Sequence, residues 1–97
     1  MSITSVAFVR AHEGHEQTLG GLLAELARGS RIEPGCLSYA QHQSPDSPSL
    51  WFVYSNWRSE LDLLEHMQAQ PMQRFAQESE TVMHGEFTLG LFAPVKQ

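Results

Sequence analysis

The chain has little of what anchors cofactors and polyanions. One residue of 97 is a cysteine, Cys36, which excludes an internal disulfide and every multi-cysteine zinc or iron–sulfur pattern. Only six residues are Lys or Arg, against eleven Asp or Glu, for a net charge of −5. Without a basic cluster there is no electrostatic footprint for nucleic acid or anionic lipid. No apolar run approaches the roughly 18–20 residues of a membrane span, and no basic-then-apolar leader opens the chain, so neither membrane nor export is expected and the location expected is cytoplasmic. G-x-G-x-x-G, P-loop and G-x-S-x-G patterns are missing, as is a pair of carboxylates in an apolar setting, so no nucleotide or flavin cofactor is expected.

What is present suits a packed globule: 41% hydrophobic residues and 18% charged, in a length that accommodates one domain over residues 1–97. Ile3 to Arg10, rich in β-branched and aromatic residues, predicts a strand closed by the turn at Ala11-His12-Glu13-Gly14. Leu19, Leu22, Leu23 and Leu26 then make the apolar stripe of a helix running from His15 to about Ser30. Gly20 and Gly21 inside it imply that something packs close. After the break at Glu33-Pro34-Gly35, Cys36–Gln43 and Ser49–Trp57 form a hairpin around Ser44-Pro45-Asp46-Ser47-Pro48. Cys36, opening the apolar run, is expected to be a small buried thiol.

Ser59 is placed to cap a helix over Glu60 to about Gln68, with Asp62 in the capping-box position. Leu61, Leu64 and either Met67 or Leu63 are expected to face the sheet. Pro71 restarts the helix to about Val82, and Glu86–Val95 supplies the closing strand. The order β-α-β-β-α-β predicts an α+β, ferredoxin-like fold: a four-stranded antiparallel sheet with both helical segments on one face. Strand 3, Trp51-Phe52-Val53-Tyr54-Ser55-Asn56-Trp57, is apolar or aromatic at both parities, whereas a sheet with one wet face alternates. A second copy of the same sheet would cover the free face, giving a homodimer.

Five histidines invite metal hypotheses. His12-Glu13-Gly14-His15-Glu16 misses H-E-x-x-H by one residue, and His12 and His15 lie in a turn where solvated side chains are expected. His42 and His84 read as surface residues, so no metal site is expected. His66 differs, because it shares a helix side with Asp62 and Leu63 at the edge of the buried stripe. Two readings stay open: a boundary histidine satisfied within the fold, or a base able to take a proton from a phenol-like substrate near neutral pH. Trp51, Val53, Ser55 and Trp57 share one strand face. If it is the face under the helix carrying His66, large rings with Met72 and Phe75 frame an apolar cavity; plain core packing is the alternative.

The segment Arg31-Ile32-Glu33-Pro34-Gly35-Cys36-Leu37-Ser38-Tyr39, then Trp51-Phe52-Val53-Tyr54-Ser55-Asn56-Trp57 and Leu64-Glu65-His66, resembles the antibiotic biosynthesis monooxygenase family over nearly the whole chain. The similarity lies in the element order, the E-P-G-C turn, the Trp ending strand 3, a His nine residues later (Trp57 to His66) and Phe75 nine residues beyond that. It implies a dimeric α+β barrel with a pocket between sheet and helices. Family members include oxygenases of quinols or aromatic phenols that use no metal or flavin, haem-degrading enzymes, a sugar-phosphate isomerase and proteins without a known reaction. Two departures stand out. Many members carry a glutamate two residues before the strand-3 Trp, where this chain has Ser55. The haem-degrading branch carries a strand-1 asparagine where Ala7 stands here.

The expected function is therefore a cofactor-independent monooxygenase acting with O₂ on a quinol or dihydroxy-aromatic. His66 is the candidate base, Trp57, Phe75 and Met72 are the apolar walls, and Ser55 is a hydrogen-bond donor to substrate. The rival class is a non-catalytic dimeric small-molecule-binding or stress-response protein. Below both stand a metabolite isomerase, for which the scattered basic residues offer no phosphate clamp, and haem degradation.

Overall fold

The computed structural model describes residues 2–96. Its elements follow the expected order: β1 (Ile3–Arg10), α1 (Glu16–Arg31), β2 (Cys36–Gln43), β3 (Leu50–Trp57), α2 (Glu60–Gln68), α3 (Gln70–Glu78) and β4 (Thr88–Phe92). The strands form one antiparallel sheet in the order β2-β3-β1-β4. The two central strands are thus the first and third, the split arrangement of a ferredoxin-like fold.

Strand register decides which side chains meet the helices. Ser5 pairs with Ser55, Ala7 with Val53 and Val9 with Trp51, and this parity belongs to the helix-covered face. Beneath α1 it meets Leu19, Leu23, Leu26 and Ala27, with Leu63 from α2 and Phe75 from α3 completing the core. Trp57 is fully buried. Gly20 explains how α1 comes so near: a β-carbon there would lie 2.7 Å from the Trp51 ring, so only glycine admits the indole. Gly21 has open space beside it, so the expected close approach holds for the first of the pair only.

The phase of α2 departs from expectation. Leu61 and Leu64 point outward, 64% and 50% exposed, while Asp62, Leu63 and His66 are buried and Met67 is partly buried. A polar clamp sets this rotation. Ser59 caps the helix by accepting from the Asp62 amide at 3.1 Å, and the Asp62 carboxylate accepts from Ser59 Oγ at 2.8 Å and Arg58 Nε at 2.9 Å. Those hydrogen bonds, Arg58 foremost, hold the Asp62 carboxyl below its ordinary range. The same carboxylate packs on Gly35, whose φ of +85° favours glycine and where any β-carbon would overlap it. The start of α2 is thereby keyed to the 33–36 turn, and the leucines take what remains.

The C-terminal elements are shorter than expected. α3 ends at Glu78 rather than Val82, its chain turning through Val82 N→Ser79 O and Met83 N→Ser79 O bonds of 3.0 and 2.9 Å. β4 covers Thr88–Phe92 rather than 86–95 because its pairing with β1 runs only from Phe8↔Thr88 to Thr4↔Phe92, and Pro94 follows. On the face away from the helices, Phe8, Tyr54 and Phe92 are 47%, 41% and 56% exposed. Phe52 links them, its ring 5.2 Å from Phe8 and 6.4 Å from Tyr54.

Candidate functional site

Between the sheet and the helices lies a narrow, mainly apolar cavity of about 40 Å³. Its polar wall is short: Ser5 and Ser55 side by side on β1 and β3, Tyr39 on β2, and His66 on α2. Apolar side chains from every layer supply the rest, Phe75 and Met72 from α3 and Phe87 and Leu89 at the start of β4 among them, and Ala7 presents only a methyl group. Four expected site residues, His66, Ser55, Met72 and Phe75, thus line one cavity. Neither lysine nor arginine does.

Trp57 is not on that wall, contrary to expectation. It lies one layer behind, its ring 4.5 Å from the His66 imidazole and tilted 30°, with Nε1 donating to Ser55 Oγ at 3.0 Å. The reason is register: as the last residue of β3 it lies beneath the last turn of α2, where His66 covers it. Trp57 therefore positions two cavity groups at once. With its oxygen engaged as an acceptor, the Ser55 hydroxyl keeps its own hydrogen for a ligand.

His66 is held from three sides and is 4% exposed. Trp57 flanks its face, Tyr39 meets its edge with ring centres 5.8 Å apart, and Nδ1 lies 2.7 Å from Glu33 Oε1. When Glu33 is ionised, that bond needs a proton on Nδ1, which leaves Nε2 of the neutral ring as the lone-pair nitrogen. The carboxylate comes from the 33–36 turn, which Gly35 and Asp62 hold against α2, and not from the strand position where Ser55 stands. Tyr39 is in turn anchored through its backbone, where Arg31 grips the carbonyl through two bonds of 3.1 and 2.8 Å, and the Ser30 hydroxyl nearby donates to Leu26 O at 2.6 Å. Burial is the main force that pushes the Tyr39 phenol well above its ordinary range, so it stays a neutral donor.

Glu33, Tyr39 and Ser5 escaped the sequence reading. Ser5 was detectable: a hydroxyl at the inward parity of a β-branched strand is out of place unless it meets something polar. Glu33 stood in the E-P-G-C turn, where nothing local marks its side chain as a partner of His66. The remaining histidines are exposed. His12 lies 6.5 Å from His15 and 5.2 Å from His84, ring to ring, and no group of three or more metal-ligating side chains occurs among the described residues. Cys36 is only partly buried, and burial together with the Glu33 charge raises its thiol above the ordinary value. No helix among the described residues is long and apolar enough to cross a membrane.

Outside the cavity mouth, an open cleft of about 490 Å³ shares Met72, Phe75 and Phe87 with it and adds Met83 and the acidic pair Glu80 and Glu86. Inner cavity and cleft together fall within the range of small-molecule sites.

Comparison with known proteins follows the same lines. The sequence pattern of the family described as antibiotic biosynthesis monooxygenase matches residues 2–78. Among solved structures, PA3566 from Pseudomonas aeruginosa is similar at 26% identity and a TM-score of 0.91, over 98% of this chain and 95% of that one. Rv0793 from Mycobacterium tuberculosis is similar at 20% identity and 0.91, over 100% and 98%. A variant of SnoaB, described as a cofactor-independent oxygenase from Streptomyces nogalater, is similar at 14% identity and 0.85, over 99% and 95%. No curated protein sequence matches the chain.

Proposed function

Because the chain belongs to the antibiotic biosynthesis monooxygenase family, we propose that it acts, as one domain, as a cofactor-independent monooxygenase of a quinol or related electron-rich phenol. The observation that carries this reading is His66, a buried imidazole at an apolar cavity with Nδ1 committed to Glu33. Nε2 takes a proton from the substrate; the resulting anion passes an electron to O₂, the radicals join at a ring carbon, and the O–O bond breaks. The balance closes: a hydroquinone plus O₂ gives a hydroxyquinone plus water, one oxygen atom entering each product. The protein supplies a base, orientation and a dry cavity. Ser55 donates to a substrate oxygen, and Phe75 and Met72 hold the ring. The inner cavity admits only the reacting edge of a polycycle, so its remainder lies in the outer cleft.

Oxygen uptake by the purified protein, chelator present, against dihydroxynaphthalenes and anthrones tests this. His66→Ala should lose at least about a hundredfold in rate. Equal uptake by both proteins would sink the mechanism. Uptake by neither would favour the binding-protein reading, which the small volume of the closed cavity supports. A phosphorylated isomerase substrate is disfavoured by the lack of a basic lining residue, and haem degradation by Ala7 at the strand-1 position.

The open sheet face belongs to the same reading. Phe8, Tyr54 and Phe92 form with Phe52 an aromatic patch suited to a second copy of the sheet, so the working unit is a homodimer. A solution mass of twice 10.9 kDa is expected at micromolar concentration, and a monomer there would contradict it.

A further inference from the structure

We propose that Glu33 is the terminal acceptor of the substrate's proton, with His66 as the relay between them; this rests on the reading of His66 as the base. His66 lies on a partition. One side of it lines the inner cavity; the other, with Glu33, Pro34, Asp62, Glu65 and Ala69, lines a separate cleft of about 230 Å³. Glu33 lines this separate cleft and not the inner cavity. A proton entering the ring at Nε2 therefore has a way out at Nδ1, across the 2.7 Å bond to Glu33 Oε1.

Charge makes that exit favourable. If the proton stopped on His66, a cation and an anion would stand together in an apolar cavity, poised to recombine. The net charge is the same either way, but passing the proton on leaves one charged group, the substrate anion, where stopping at His66 leaves three, with Glu33 still ionised. A low-dielectric site tolerates one charged group better than three. In bonds, substrate O–H or C–H breaks and Nε2–H forms, while Nδ1–H breaks and Glu33 O–H forms. The reverse passage, when the peroxide breaks, returns the proton through Nε2 to the departing oxygen and restores the starting tautomer.

The second carboxyl oxygen fits this role. Glu33 Oε2 is buried with no hydrogen-bond partner among the described residues, an unusual state for a carboxylate whose only task is to orient an imidazole. Rotation of the carboxyl to carry the proton away from the ring breaks no further hydrogen bond.

The test is anaerobic stopped-flow mixing with an anthrone, whose anion absorbs at longer wavelength than the neutral ketone. Wild type should form the anion quickly, and His66→Ala should not form it. Glu33→Gln, whose carbonyl still accepts from Nδ1–H but cannot take the proton, should slow anion formation at least about tenfold. Glu33→Ala, confirmed as folded by its thermal transition, should be equally slow, and formate diffusing into the vacated cleft should restore it without affecting Glu33→Gln. A Glu33→Gln rate within about twofold of wild type, with His66→Ala still inactive, would overturn this proposal and leave His66 as the base. Absence of formate rescue in folded Glu33→Ala would also overturn it. No anion in wild type would remove the His66 reading, and this proposal with it.

Discussion

The two faces of the sheet are built from the same strands and do different work. Along β3, Trp51, Val53, Ser55 and Trp57 point to the helices, where they pack α1, line the cavity or back His66. The residues between them, Phe52 and Tyr54, point the other way into an aromatic patch that touches neither helix nor cavity. On the covered face the polar groups at the cavity are held in place, Ser55 by Trp57 and His66 by Glu33, while Trp51 Nε1 and Gln41 Oε1 are buried with no hydrogen-bond partner among the described residues. On the open face the polar residues Thr4, Asn56 and Ser38 bond to one another, Thr4 Oγ1 donating to Asn56 Oδ1 at 2.6 Å and Asn56 Nδ2 to Ser38 Oγ at 2.9 Å. The first pattern fixes chemical groups. The second leaves a surface with few unmet polar demands, which suits association.

Substitutions can separate the two roles. The largest effect is expected from Trp57→Ala, which deletes the largest fully buried side chain and should lower unfolding free energy by about 3–5 kcal/mol in urea titration. Phe8→Asp, on the other face, should leave ligand binding by a monomer intact but raise the dimer dissociation constant at least about a hundredfold, measured by sedimentation, because it would bury an unpaired carboxylate. If Phe8→Asp alters binding and leaves association untouched, the division between faces is wrong. Gly20→Ala forces a methyl group into the Trp51 ring and should cost about 1–3 kcal/mol, whereas Gly21→Ala, with open space beside it, should be neutral or stabilising.

The smallest effect concerns Tyr39. Its folded-state phenol titrates above the ordinary value near 10, so the unfolded chain releases this proton first. Its contribution is fully present below pH about 10 and is lost as pH rises from there through the raised folded value. Tyr39→Phe should therefore flatten the alkaline loss of stability, with a change of about 1 kcal/mol or less at neutral pH from removal of the buried hydroxyl.

Much of this division was legible before the coordinates. The apolar residues at both parities of strand 3 announced an aromatic patch on the face away from the helices, and the element order announced the sheet, because both depend on local periodicity. The rotation of α2 was not legible from its leucines. Leu61 and Leu64 were outvoted by a capping carboxylate wedged on Gly35, a contact between segments 27 residues apart in sequence. The same holds for the partner of His66. A hydrogen bond spanning 33 residues leaves no local pattern, and Glu33 stood inside a Pro-Gly turn whose own grammar accounted for it. Ser55 kept its place in the cavity, and its link to Trp57 joins same-face neighbours two residues apart on one strand.

The interleaving of roles along β3 also limits how this chain can change length. Removing or adding one residue inside Trp51–Trp57 would turn every following side chain through to the opposite face, sending Trp57 outward and bringing Arg58 or Asn56 to its place beside His66. Insertions belong instead at the exposed tip of the connection, Pro45-Asp46, because the loop is closed on either side by Ser44 N→Leu50 O at 2.9 Å and Gln43 Nε2→Pro48 O at 2.7 Å. A deletion scan across residues 44–57 should show tolerance that stops abruptly where the strand begins.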